Sequence, residues 1–274
     1  MNASMMNASR PNPTIVVGAS RGLGRGIAAA LADDGGPVVA VARDQAALAD
    51  LAAATPGVVP EPVDATERVA AARLLRTYDR RTVVLVAGAS PTMAPLQHQT
   101  WETFSANWHA DVQIAFHWIQ AALTQPLAPG SRIIVISSGA ALAGSPLSGG
   151  YAGAKATQRF IAGYAQDEAD RAGLDLTFTT VFPRPSPVTD VGRAAVQAYS
   201  AREGLSEEAY VQRLGGILTP QVAGRALVEL RRADAATLAH GYLLTGGGLQ
   251  PIGASPNGGS PAPAPVGAAV PAPA

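Results

Sequence analysis

The sequence contains no cysteine, so disulfides, thiolate metal sites and thiol chemistry are all excluded. Lysine is almost as scarce. Lys155 is the only one, and arginine supplies every other basic side chain. Charged residues make up 15% of the chain and balance to a formal net charge of zero, with no basic stripe. Nucleic acid and anionic membrane surfaces are therefore not expected partners. No apolar run approaches the length of a membrane span, and residues 1–13 lack the apolar core of a secretion signal. A cytoplasmic protein is the expectation. The four histidines, His98, His109, His117 and His240, are not spaced with acids as a metal site requires, so no metal is expected.

What the chain does have is apolar material, 47% of its residues, in a regular order. Short β-branched runs at 14–17, 37–42, 58–63, 82–87, 132–137, 175–182 and 241–245 read as strands. Amphipathic stretches at 22–33, 44–54, 66–78, 100–124, 150–172 and 220–232 read as helices. Runs such as Val83-Val84-Leu85-Val86 and Ile133-Ile134-Val135-Ile136 are apolar on both faces, as parallel strands covered by helices must be. The expected fold is α/β: a doubly wound, Rossmann-type parallel sheet with helices on both faces, in a single domain at 13–250. Residues 1–12 read as a flexible polar tail. Residues 251–274, almost entirely Pro, Ala, Gly and Ser, read as a disordered one. Pro183-Arg184-Pro185-Ser186-Pro187 halts the sixth strand and opens a polar excursion to about Gly216 that is expected to be helical. Its place at the carboxyl end of a strand makes it either a substrate lid or a solvated connector.

Three groups of residues carry chemistry. Gly18-Ala19-Ser20-Arg21-Gly22-Leu23-Gly24 lies between the first strand and the first helix. There glycines permit close backbone approach and the helix start offers free N–H groups to a diphosphate. At the end of the second strand, Ala42 stands where an acid would hold a ribose 2′-hydroxyl, and Arg43 follows. With Arg21, this pairing favours NADP (NADPH) over NAD, although Asp44 comes next and Arg43 could be an ordinary strand-end charge. Finally, Tyr151 and Lys155 are four apart on one helix. The ammonium lies one turn from the phenol, where it favours the phenolate and makes Tyr151 a candidate acid–base.

Taken together, these segments resemble the short-chain dehydrogenase/reductase superfamily, in its short single-domain branch, over nearly all of residues 14–250. The matching pieces are Gly18-x-x-x-Gly22-x-Gly24, Asp64 after the third strand, Ala87-Gly88-Ala89-Ser90 after the fourth, Ser137-Ser138, Tyr151-x-x-x-Lys155, and Gly241 with Gly247-Gly248. The resemblance implies a nicotinamide-dependent oxidoreductase acting on a small carbonyl or alcohol, usually a homodimer or homotetramer. It implies that Tyr151 is the proton donor, that Lys155 tunes it and holds the nicotinamide ribose, and that Ser138 holds the substrate oxygen. Asp64 and Ala65 match the pair beside the adenine. Ser20, Leu23, Ala87, Gly88, Ala89 and Pro183 fall on cofactor-binding positions.

The chain departs from the pattern in three places. The family's Asn-Asn-Ala-Gly reads Ala87-Gly88-Ala89-Ser90. The family's catalytic asparagine aligns with Asp111, or with Asn107 if the alignment shifts one turn. Asp111 is then either a variant of the family's proton relay or a bystander. Arg184 replaces the glycine of the family's Pro-Gly and could face the nicotinamide or water. The aromatics Trp101, Phe104, Trp108, Phe116 and Trp118 repeat along one helix, and some of them are expected at a subunit interface. A cofactor-binding sensor or scaffold with little turnover is the rival to an enzyme. An isomerase or dehydratase is disfavoured, because the chain lacks the longer substrate domain those usually carry.

Overall fold

A computed structural model describes residues 13–78, 82–125 and 127–252. The two expected tails, 1–12 and nearly all of 251–274, lie outside the described residues. The strands are β1 Thr14–Val17, β2 Val38–Ala42, β3 Val58–Pro62, β4 Thr82–Leu85, β5 Ser131–Ile136, β6 Leu176–Pro183, β7 Gly241–Thr245 and β8 Gly248–Pro251. They form one sheet in the order β3-β2-β1-β4-β5-β6-β7-β8, parallel throughout except for the last pair.

The helices are α1 Gly22–Asp33, α2 Gln45–Ala54, α3 Arg68–Thr77, α4 Trp101–Asn107, α5 Gln113–Thr124, α6 Ala140–Ala143, α7 Gly149–Arg171, α8 Asp190–Glu203, α9 Glu207–Arg213 and α10 Pro220–Arg232. Several start on a side chain that accepts from a backbone N–H of the first turn: Asp44 for α2, Thr100 for α4, Thr189 for α8, Ser206 for α9 and Thr219 for α10.

Strand residues alternate between two buried cores, one on each face. Ile15, Val17, Val83, Leu85, Ile133 and Val135 pack with α3, α5 and α7. Their neighbours Val16, Val84, Ile134 and Ile136 pack with α1, α2 and α10. This explains why the strands are apolar without alternation: both faces are covered. The edge strand β3 carries Pro60, Glu61 and Pro62, residues a central strand would not tolerate.

Two features depart from the pattern read in the sequence. An eighth strand closes the far edge through a tight antiparallel turn, with Gly248 at φ 100°. Beyond it, Ile252 N donates to Gly241 O at 2.9 Å, so Pro251 and Ile252 belong to the sheet rather than to a tail. The stretch 101–124 is helical throughout, as expected, but it is not α-helical throughout: a wide π-type turn at Trp108–Val112 lies between α4 and α5. The excursion after β6 is helical, as expected, and contains two helices, α8 and α9.

Candidate active site

The strand order reverses at β1, where the chain crosses to β4. The crevice beyond the carboxyl ends of these strands is the usual ligand position in such sheets. Here it opens into a cleft of about 1150 Å³. Every site residue named from the sequence lines it: Gly18, Ser20, Arg21, Gly22, Leu23, Gly24, Arg43, Asp64, Ala65, Ala87, Gly88, Ala89, Asp111, Ser138, Tyr151, Lys155 and Pro183. Parts of α8 and its start, with Tyr210 and Leu214, line its outer side, so the excursion lies over the cleft.

At one end the wall is backbone. Gly18 has φ 97°, and a Cβ there would come within 2.5 Å of Ala87 N. A Cβ on Gly24 would lie 2.0 Å from Gly18 O. Neither position admits a side chain, which is what lets β1, β4 and α1 converge. No side chain caps α1 and no acid sits in its first turn, so its leading N–H groups are available to an anion. A dinucleotide diphosphate fits this cradle. Arg43 is exposed beside it, 3.9 Å from Asp64, and Arg21 stands 3.9 Å from Asp190. Asp44 is occupied: its carboxylate accepts from Ala47 N at 3.0 Å and caps α2. Asp64 accepts from both the N–H and the hydroxyl of Thr66, and these bonds hold its carboxyl below the usual carboxylate range.

At the other end the wall is side chains. A Cβ on Gly150 would lie 1.9 Å from Phe104 O, so α7 packs directly on α4 and carries Tyr151 and Lys155 to the cleft floor. Lys155 is buried, with Nζ 3.1 Å from Asp111 Oδ2 and 3.3 Å from Ile136 O. Its ammonium lies 5.6 Å from the centre of the Tyr151 ring. Burial works against the charge on Lys155, but the Asp111 carboxylate and the nearby phenol oppose it, and the net effect raises the lysine above its ordinary value.

Asp111 is fully buried and tightly held. Its Oδ1 accepts from Ala89 N at 2.8 Å and from Asn107 Nδ2 at 3.3 Å, and Asn107 also donates to Ala89 O. Gln158, one turn beyond Lys155, donates to the Asp111 carbonyl at 2.8 Å. The Oδ2 atom faces the ammonium as a charge partner but has no aligned hydrogen-bond donor. The two departures in this region are one feature. A Cβ on Gly88 would fall 2.6–2.8 Å from the Asp111 carboxylate, so that carboxylate fills the space a side chain at position 88 would need.

The paired serines separate cleanly. Ser137 Oγ donates to Lys155 O at 2.8 Å and is spent on holding α7. Ser138 Oγ accepts from Ala140 N and lines the cleft. Sequence spacing offers Asn107 only as an alternative alignment and does not single out Gln158. Both are buried polar residues at helical spacing from a site residue, which is the signal that marks them. Among the described residues no group of three or more metal-ligating side chains exists.

A family profile described as short chain dehydrogenase matches residues 12–199. The chain belongs to the short-chain dehydrogenase family. It is similar to a hydroxynaphthalene reductase-like protein of Metarhizium robertsii, 28% identical over 254 residues, covering 86% of this chain and 94% of that one. Two solved structures share the fold. An oxidoreductase of the short chain dehydrogenase/reductase family from Burkholderia thailandensis superposes with a TM-score of 0.71 at 24% identity, covering 86% of this chain and 92% of that one. A short chain dehydrogenase from Mycobacterium avium gives 0.69 at 21% identity, covering 91% and 87%. This short-chain dehydrogenase is thus an oxidoreductase acting at the CH–OH/C=O level, of a family that uses NAD(P). No helix among its described residues is long and apolar enough to cross a membrane.

Proposed function

We propose that the protein is an NADPH-dependent carbonyl reductase, equivalently an alcohol dehydrogenase working in reverse. The observation that carries this reading is the buried Asp111–Lys155 pair beneath Tyr151, on the same cleft as Ser138 and the glycine cradle.

The glycine cradle and the start of α1 would hold the diphosphate, and Lys155 the nicotinamide ribose. Bound there, the nicotinamide supplies or accepts the hydride. Ser138 donates a hydrogen bond to the substrate oxygen, where negative charge grows during reduction. Tyr151 delivers the proton that turns this oxygen into a hydroxyl. Lys155 stabilises the phenolate left behind, and Asp111 keeps Lys155 charged despite its burial. Asn107 and Gln158 fix Asp111 from either side. The lid formed by α8 and α9 limits the access of water.

The preference for NADP rests on Arg43 and Arg21 facing the cleft while Asp44, the next residue in the chain, is committed to capping α2. The hydroxynaphthalene reductase-like relative favours an aromatic ketone among the substrates to be tried first. A homo-oligomer is also part of this reading. Phe116, Phe160 and Tyr164 are exposed on α5 and α7, whereas Trp118, from the same aromatic series, is core and donates to Ala65 O.

The test is NADPH consumption against a panel of ketones, aldehydes and quinones. Reduction of at least one class at turnover rates well above background is expected. Tight NADPH binding with no carbonyl reduced would leave the sensor reading standing instead.

A further inference from the structure

We infer that the carbonyl substrate carries a carboxylate, gripped by Arg184 with Arg202 at the lid end of the cleft. This deepens the reductase reading and rests on it for the reaction, though not for the binding.

The charges lining the cleft carry the inference. Each lining carboxylate is engaged: Asp44 caps α2, Asp64 bonds Thr66, Asp111 pairs with Lys155, Asp190 pairs with Arg193 at 2.7 Å, and Glu203 pairs with Arg213 at 2.9 Å. Arg193 and Arg213 are not among the lining residues. Of the lining cations, Lys155 faces Asp111, Arg43 faces Asp64 and Arg21 faces Asp190. Arg184 and Arg202 have no carboxylate within 4.0 Å among the described residues. Both line the cleft, and Glu203, the acid beside Arg202 in sequence, is paired with Arg213.

Arg184 is also placed to reach a substrate. Its N–H donates to Leu244 O at 2.8 Å, which fixes the backbone at the end of β6. Its side chain passes over Gly139, the neighbour of Ser138, where a Cβ would meet Arg184 Cδ at 3.7 Å. Burial and the Glu203 carboxylate raise the Tyr210 phenol, and the Arg184 guanidinium lies near enough to oppose them in part. The Arg184 side chain thus lies between Gly139, next to Ser138, and Tyr210 of the lid. Tyr210 stacks on Tyr199, with ring centres 6.2 Å apart, and the Tyr199 hydroxyl bonds Ser145 and Leu147 N beside the site. Arg202 follows Tyr199 by three residues and so shares its face of α8. A substrate carboxylate in this part of the cleft would meet planar guanidinium forks that match its geometry.

The test uses a series of keto acids of increasing length and the methyl ester of each, with NADPH. At the best length the acid is expected to exceed its ester in kcat/KM by about tenfold, with the advantage shrinking as salt rises. Arg184→Ala should lose far more on the acid than on the ester, through KM rather than kcat, and Arg202→Ala somewhat less. Equal kcat/KM for acid and ester at every length would overturn the inference, as would equal losses on both in Arg184→Ala. Calorimetric titration of the NADP-loaded enzyme with benzoate separates this inference from the reductase reading. Binding that Arg184→Ala abolishes upholds the anion site even if no ketone is reduced, and absence of binding contradicts it.

Discussion

The two ends of the cleft are built from different materials. The end proposed for the cofactor is backbone: glycines at 18 and 24 exclude side chains, and the proposed function depends on nothing being there. The end proposed for catalysis is side chain: Asp111, Lys155 and Tyr151 form a line of charge and phenol, and the proposed function depends on what is there. Damage should therefore differ in kind. A side chain added at the cofactor end is a steric fault that costs binding and folding together. A group removed at the catalytic end is an electrostatic fault that separates chemistry from binding.

The largest effect should come from Gly24→Ala. Its Cβ has no room beside Gly18 O, so α1 must move off β1, and NADPH binding should be lost with much of the thermal stability. Titration of the cofactor followed by a melting curve checks both. An unaltered affinity would show that the cradle is looser than its geometry implies.

Next in size, Asp111→Ala strands a buried ammonium, which costs about 3–5 kcal/mol when one partner of such a pair is removed. The pH dependence gives this a sign. In the wild-type fold Lys155 is raised above its unfolded value, so its contribution is complete below that value, pH about 10.4, and is lost as pH rises through the higher folded one. Without the carboxylate, burial dominates and lowers the lysine instead. Stability of Asp111→Asn should then rise with pH as the folded lysine sheds its proton, where the wild type stays flat. Melting temperatures across neutral and alkaline pH would distinguish the two, and parallel curves would remove Asp111 from its role.

Arg43→Ala should act at the cofactor end without touching its shape. Weakening of NADPH on the order of tenfold is expected, with little change for NADH, as suits a lost charge-assisted contact. Equal losses for both cofactors would refute the assignment to a 2′-phosphate. The smallest effect should be Asp44→Ala. Loss of the α2 cap costs about 1 kcal/mol, with cofactor preference unchanged if Asp44 has no part in ribose binding.

The contrast also explains what can be read in advance. Glycines in a cradle leave a mark on the sequence because only glycine fits, and the strands and helices around them follow from apolar periodicity. Strand β8 does not show, because Gly248-Leu249-Gln250-Pro251 has no β-branched residue and pairs only through a turn. The π-type turn at 108–112 is equally hidden, since a local widening leaves no periodic signature. Spacing finds Asp111 but not its relation to Gly88. That relation is one of volume across chain segments, and only packing shows that the missing side chain at 88 and the carboxylate at 111 occupy the same space. Arg184 stands out in the sequence as a substitution, and its direction comes only from the contact over Gly139.

The most direct test is a comparison of wild type and Tyr151→Phe for carbonyl reduction and for NADPH affinity, measured on the same preparations. Loss of the phenol hydroxyl should cut kcat by about 10²–10⁴ while NADPH binds as before. A Tyr151→Phe enzyme that reduces its ketone at the wild-type rate would contradict the account.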